Sequence, residues 1–182
     1  MNIDFYNTAG RLKRLPRSGW VNRGIDNPET VAEHIFRSQL IAYDLAKELG
    51  VDPASCAEMM LVHDLQEALA GDMTPDSGVS KQDKHRIELQ AAQDLAALSG
   101  NPEYYALFCE FEDQKTLRSR ICHDADQLEC LTQAFEYAVQ YPEKRDVLED
   151  FWPYAEKKIS TPPGKKIYAE LIQRKKSLAP HI

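Results

Sequence analysis

Along residues 28–49, Val31, Ile35, Ile41, Leu45 and Leu49 recur at helical spacings and mark one buried stripe. The punctuation elsewhere is helical too. Asn27-Pro28, Asp52-Pro53 and Asn101-Pro102 each pair a capping side chain with proline at the first helical position. Gly50, Gly71 and Gly100 fall where the helices begun there should end. Ser80-x-x-Asp83 resembles a capping box with Asp in place of Glu. The pattern predicts helices near 4–14, 28–49, 53–70, 80–99, 102–111, 115–140, 143–158 and 163–176. No stretch alternates as a strand would. The expected fold is all-α, a single bundle-like domain over residues 1–182.

Several polar residues interrupt the apolar faces. On a helical wheel His34 lies within about 20° of Ile41 and Leu45, so it points inward. In "LVHDLQEALAGD", residues 61–72, His63 and Asp64 sit among Leu61, Val62 and Leu65, Glu67 follows one turn later, and Asp72 stands just past Gly71. A buried polar group left without a partner costs on the order of 1–3 kcal/mol, and a buried charge costs more. A hydrogen-bonded polar knot would meet that cost. So would a divalent cation shared by two imidazoles and a carboxylate, a donor set suited to Zn, Mn, Fe or Co. A further ligand must then come from another helix. Residues 118–135, "RSRICHDADQLECLTQAF", offer Asp126 and a second His-Asp dipeptide, His123-Asp124; spacing alone leaves Asp124 and Asp126 open.

Composition narrows the function. With 182 residues, 43% hydrophobic and 28% charged, the chain can bury a real core. No apolar run approaches the roughly 20 residues of a membrane span, and the first residues lack the apolar centre of a signal peptide, so a cytoplasmic location is expected. Cys56, Cys109, Cys122 and Cys130 show no CxxC spacing and read as reduced thiols. A net charge of −7 argues against gripping polymeric nucleic acid. It leaves room for a small anion, because residues 11–23 carry Arg11, Lys13, Arg14, Arg17 and Arg23 with no acid among them. Residues 141–182 carry no recognisable motif.

The set His34, His63-Asp64 and Asp126 resembles the HD-domain metal-dependent phosphohydrolase superfamily. The longer stretches "LKRLPRSGWVNRGIDNPETVAEH", "LVHDLQEALAGDMTP", "GVSKQDKHRIE" and "DADQLECLTQAFEY" are similar to the small HD-domain 5′-deoxynucleotidases. The resemblance spans about residues 10–140 and implies an HD-domain bundle of roughly seven to eight helices. It implies one divalent ion (Co, Mn, Zn, Fe or Mg) held by His34, His63, Asp64 and Asp126. Asp126 is preferred over Asp124 because the family's last ligand precedes a Leu-Glu pair, here Leu128-Glu129. His123 would then support a ligand rather than be one, and His85 and His181 would be structural or exposed.

The resemblance also implies catalytic roles for Glu67, handling protons, and Asp72, meeting the sugar or leaving group. Arg17 would hold phosphate, with Arg14 or Arg23 as substitutes, and Trp20 would lie against the deoxyribose. Lys81 and Lys84 are weaker phosphate candidates. The implied reaction is hydrolysis of 2′-deoxynucleoside 5′-monophosphates by a homodimer. Alternatives are a deoxynucleoside triphosphate triphosphohydrolase or a non-catalytic nucleotide-binding protein. Oxygen chemistry at a pair of irons is disfavoured, since it needs additional histidines.

Overall fold

The structure is a computed structural model that describes residues 2–74 and 77–178; His181 lies outside them. Among the described residues the chain forms α1 (Ile3–Ala9), α2 (Ser18–Val21), α3 (Val31–Leu49), α4 (Pro53–Val62) and α5 (Glu67–Ala70). It continues with α6 (Lys81–Ser99), α7 (Glu103–Asp113), α8 (Leu117–Gln140), α9 (Phe151–Lys158) and α10 (Pro162–Lys176). Short 3-10 turns at Gly10–Arg14 and Pro142–Leu148 follow α1 and α8. The architecture is all-α. No described helix is long and apolar enough to cross a membrane.

Several boundaries differ from the sequence pattern, and the expected 4–14 helix is α1 followed by a 3-10 turn. The long helix begins at Val31, not Pro28, because residues 28–30 pair with another segment. Arg17 N–H donates to Glu29 O at 3.0 Å and Val31 N–H to Leu15 O at 2.9 Å, an isolated antiparallel bridge around Pro16 and Thr30. Thr30 therefore takes the cap: its side chain accepts from Glu33 N–H while the Glu33 carboxylate accepts from Thr30 N–H. Asn27 instead adopts a left-handed φ of 49°. The expected 53–70 helix is interrupted. Residues 63–66 form i→i+3 turns, with Leu65 N–H on Val62 O and Glu67 N–H on Asp64 O, each at 3.1 Å. The expected 143–158 helix is a 3-10 turn followed by α9. The Asp52-Pro53 start holds as read, Asp52 accepting from the Ala54 and Ser55 amides.

The main core joins Leu45 of α3, Met59 and Met60 of α4, Ile121 and Leu128 of α8, Trp152 of α9 and Leu171 of α10. Each large side chain so enclosed contributes about 1.5–3 kcal/mol. Helix α3 packs most extensively against α4 and α8. Its innermost positions include Ala42 and Ala46, while Ile41 and Leu49 are only partly buried. A second cluster gathers Trp20, Ile25, Ala134, Tyr137 and Leu148. A third joins Leu12, Val31, Ile35 and Ala68. The motif-free residues after 140 thus complete the same core.

Candidate metal centre and adjoining cavity

His34 stands one turn into α3, fully buried. Its Nδ1 pairs with the Glu129 carboxylate of α8. Glu129 is in turn clamped by Arg37, whose Nε and Nη2 donate to Oε1 at 2.9 and 2.8 Å. Two charge-assisted hydrogen bonds from the half-buried guanidinium to one carboxylate oxygen fix orientation as well as charge. His63, at the end of α4, donates from Nδ1 to Met60 O at 2.8 Å. With both δ nitrogens engaged, the ε nitrogens converge, 3.3 Å apart. The turn at 63–66 swings Asp64 beside them. Its Oδ2 lies 3.2 Å from His63 Nε2 and 3.5 Å from His34 Nε2. From α8, Asp126 Oδ1 comes within 3.2 Å of His34 Nε2.

Imidazoles and carboxylates in this cluster shift one another's proton affinities. Burial and the Arg17 charge disfavour protonation of His34, but Glu129 and Asp126 outweigh them and raise its pKa to about 10. Burial would raise Asp64 and Asp126, yet the imidazoles and Arg17 hold both well below the usual carboxylate range. Two imidazole nitrogens with a neighbouring carboxylate at these spacings could hold a divalent metal ion, and the chemistry of the donor set fits one. Glu29, His34 and Glu129 also lie close together. They are a poorer site, because His34 Nδ1 and both Glu129 oxygens are already paired and Glu29 Oε1 accepts from Trp20.

A cavity of about 500 Å³ opens beside the cluster. Arg17, Trp20, Glu67, Asp72 and Lys84 line it together with Asp64 and Asp126. Arg17 reaches Asp64 Oδ2 at 3.4 Å. Burial works against its charge, but Asp64, Asp72 and Glu67 reinforce it. Glu67 opens α5, just past the break at residues 63–66, and is buried. Its Oε2 has no hydrogen-bond partner among the described residues. Burial, then the charges of Asp64 and Asp72, push its carboxyl well above the ordinary range. Asp72 accepts from Ser18 N–H at 2.5 Å, and its carbonyl accepts from Ser18 Oγ at 2.8 Å, fastening the 63–72 segment to α2. Trp20 is 1% exposed, wedged between Tyr137 and Phe151, with its indole N–H on Glu29 Oε1 at 2.8 Å.

Other candidates fall elsewhere. Lys81 is exposed at the start of α6 and does not line the cavity, whereas Lys84, one turn on, does. Lys84 donates to Met73 O at 2.6 Å and approaches Glu88 at 3.4 Å. Arg14 and His85 are exposed and outside the lining. Arg23 lines the cavity but is committed to Asp150 at 2.6 Å and lies 4.2 Å over the Phe151 ring. His123 stacks on Phe111 at the cavity edge, centroids 4.2 Å apart. Asp124 points the other way, into the α9–α10 joint. It accepts from the amides and hydroxyls of Ser160 and Thr161 at 2.6–3.3 Å. That geometry removes Asp124 from the cluster that spacing alone had left open to it.

The pattern missed two contributions. Arg37 gave a signal, a cation one turn from an inward histidine. Helix α9 lends Phe151, Tyr154, Ala155 and Lys158 to the outer wall at i, i+3, i+4 and i+7, a legible helix face without recognisable chemistry.

Comparison with known proteins bears on the family. The description "HD domain" matches residues 9–162. The 5′-deoxynucleotidase HDDC2 of Danio rerio is 35% identical over 163 residues, covering 88% of this chain and 80% of that protein. A 5′-deoxynucleotidase of Schizosaccharomyces pombe is 32% identical over 180 residues, 95% of this chain and 89% of the other. Among solved structures, a "Predicted metal-dependent phosphohydrolase" from Magnetospirillum magnetotacticum superposes with a TM-score of 0.67 at 27% identity, covering 98% and 94% of the two chains. With a domain match over most of its length and relatives of this kind beyond 30% identity, the chain belongs to the HD-domain family, in the group of the small 5′-deoxynucleotidases.

Proposed function

We propose that this single-domain protein hydrolyses 2′-deoxynucleoside 5′-monophosphates to deoxynucleoside and phosphate, with one divalent ion held by His34, His63, Asp64 and Asp126. The observation that carries the reading is the meeting of two histidine ε nitrogens and two carboxylates at the wall of a cavity that also presents Arg17. Such an ion, when bound, supplies Lewis acidity toward a phosphoryl oxygen and lowers the pKa of water. Arg17 offers its planar fork to the remaining phosphoryl oxygens, drawn to the cluster by Asp64. Glu67 has its carboxyl pushed above the ordinary range by burial and one oxygen without a partner, which suits it to deliver a proton to the departing 5′-oxygen as the P–O bond breaks. The attacking water supplies the new P–O bond and the proton that resets the carboxyl. Asp72 keeps the sugar end in place through its hold on Ser18, and Lys84 adds positive charge at the cavity rim. Trp20 forms the wall that meets the C2′ edge of the sugar.

The test is phosphate release from deoxynucleoside monophosphates, ribonucleoside monophosphates and deoxynucleoside triphosphates, after metal removal and readdition. Inorganic phosphate from the first group, restored by metal, is expected; tripolyphosphate from the third would replace this reading. Glu67→Gln should keep its metal and lose turnover by about 10²–10⁴-fold. Full activity in that variant would refute the proton role.

The reading includes a homodimer in the cytoplasm. Phe36, Leu40 and Tyr43 lie 65, 53 and 43% exposed along one outer stripe of α3, a surface suited to self-association. Leu40→Glu should convert a dimer to a monomer in sedimentation; a wild-type monomer would remove this part.

A further inference from the structure

Glu29 has no place in the reaction above, yet it touches two of the groups that do. Its carbonyl accepts from Arg17 N–H at 3.0 Å. Its Oε1 accepts from the Trp20 indole N–H at 2.8 Å. Its own N–H donates to Tyr137 Oη at 2.7 Å, which ties the residue to α8. The ring of Tyr137 meets Trp20 edge-on, 5.3 Å between centroids, and Phe151 packs on the other side at 4.5 Å. Glu29 also lies one bridge residue from Val31, where α3 begins, and five residues before His34. One residue thus links the Arg17 segment, the indole wall and the start of the helix that carries His34.

Rejecting a ribose by contact demands a wall that does not yield. The 2′-hydroxyl adds one oxygen to the sugar, and a wall able to retreat by about that radius would admit it. Apolar packing resists such a retreat weakly along directions in which the ring can slide. A directed hydrogen bond at Nε1 removes that sliding freedom, and a buried indole N–H deprived of its acceptor would move to find another.

We infer that Glu29 is a positioning residue for sugar selection: it holds the Trp20 indole and the Arg17 backbone in fixed relation, setting the gap into which a deoxyribose fits and a ribose does not. The inference rests on the proposed deoxynucleotide reading, and it gives that reading a determinant outside the cavity lining.

The experiment measures kcat and KM for dAMP and AMP in wild type, Glu29→Ala, Glu29→Gln, Trp20→Phe and the Glu29→Ala/Trp20→Phe double variant, with metal content determined for each. Wild type should prefer dAMP. Glu29→Ala should keep its metal and lower the dAMP/AMP ratio of kcat/KM about tenfold or more, chiefly by admitting AMP. The Gln side chain presents an amide oxygen to the indole, so Glu29→Gln should restore the ratio to within about threefold of wild type. Adding Glu29→Ala to Trp20→Phe should change the ratio no further, because the two act through one ring. Equal losses on both substrates in Glu29→Ala, with the ratio intact, would reduce Glu29 to a structural role and overturn the inference. A wild type that cleaves both nucleotides alike would instead overturn the deoxynucleotide reading on which it stands. Should Glu29→Ala fail to fold, a ratio in Glu29→Gln far below wild type decides against the inference.

Discussion

The chain contains the dipeptide His-Asp twice, and the two copies have opposite fates. His63-Asp64 stands at the end of α4, where the helix gives way to i→i+3 turns, and both side chains turn toward the same point. His123-Asp124 lies inside the continuous α8, where successive side chains diverge by about 100°. His123 therefore stacks on Phe111 beside the cavity, while Asp124 binds the start of α10 on the far side. Gly164 shows how closely: a Cβ there would come within 2.4 Å of Asp124 Oδ2. The same dipeptide converges on the candidate metal centre in one case and splits between a ring stack and a helix joint in the other. Backbone geometry makes the difference.

The largest effect should come from removing the first acid. Asp64→Ala should lose the bound metal and about 10³-fold or more of phosphate release, measured by elemental analysis and turnover, with little change in melting temperature. Retention of a full equivalent of metal would erase the contrast between the copies. Removing the second acid should do the reverse. Asp124→Ala leaves four donors of the α9–α10 joint without their acceptor and should cost about 2–4 kcal/mol in urea unfolding, with metal content unchanged.

A titration sharpens the comparison further. His34, beside the first copy, is raised to about 10 and holds a proton that a metal must displace. Apparent metal affinity should therefore rise by up to about tenfold per pH unit through neutrality and level off as pH passes the His34 value. Calorimetry in buffers of differing ionisation enthalpy would record the released proton. His123 is pushed down by burial and has no such proton to give up at neutral pH. The smallest effect is expected at that residue: His123→Phe keeps the stack on Phe111 and should leave metal content unchanged and turnover within about threefold.

Much of this was legible in the residues, for physical reasons that also mark where legibility ended. Side-chain periodicity placed His34 inward because α3 has one face toward the core. It could not separate Asp124 from Asp126, which differ by about 200° around α8. That helix is covered by α3 and α4 on one side and by α9 and α10 on another, so a charge is costly on either face. The start of α3 moved from Pro28 to Val31 because tertiary pairing with residues 15–17 overrode a local cap. No glycine or proline announces the break at residues 63–66. The outer wall from α9 is a long-range contact with no local signature.

The small clasp around Pro16 and Thr30 carries a consequence for chain length. It closes an excursion that is itself held in place: Ile25 is buried with Trp20 and Tyr137, and Tyr141 Oη donates to Asp26 O at 3.0 Å. Downstream the register is equally fixed: one extra residue between Thr30 and His34 would rotate the imidazole by about 100° and turn its ε nitrogen from the carboxylates toward solvent or hydrocarbon. A change of length on either side of this pair of backbone hydrogen bonds thus has a cost, lost burial of Ile25 before it and a turned imidazole after it.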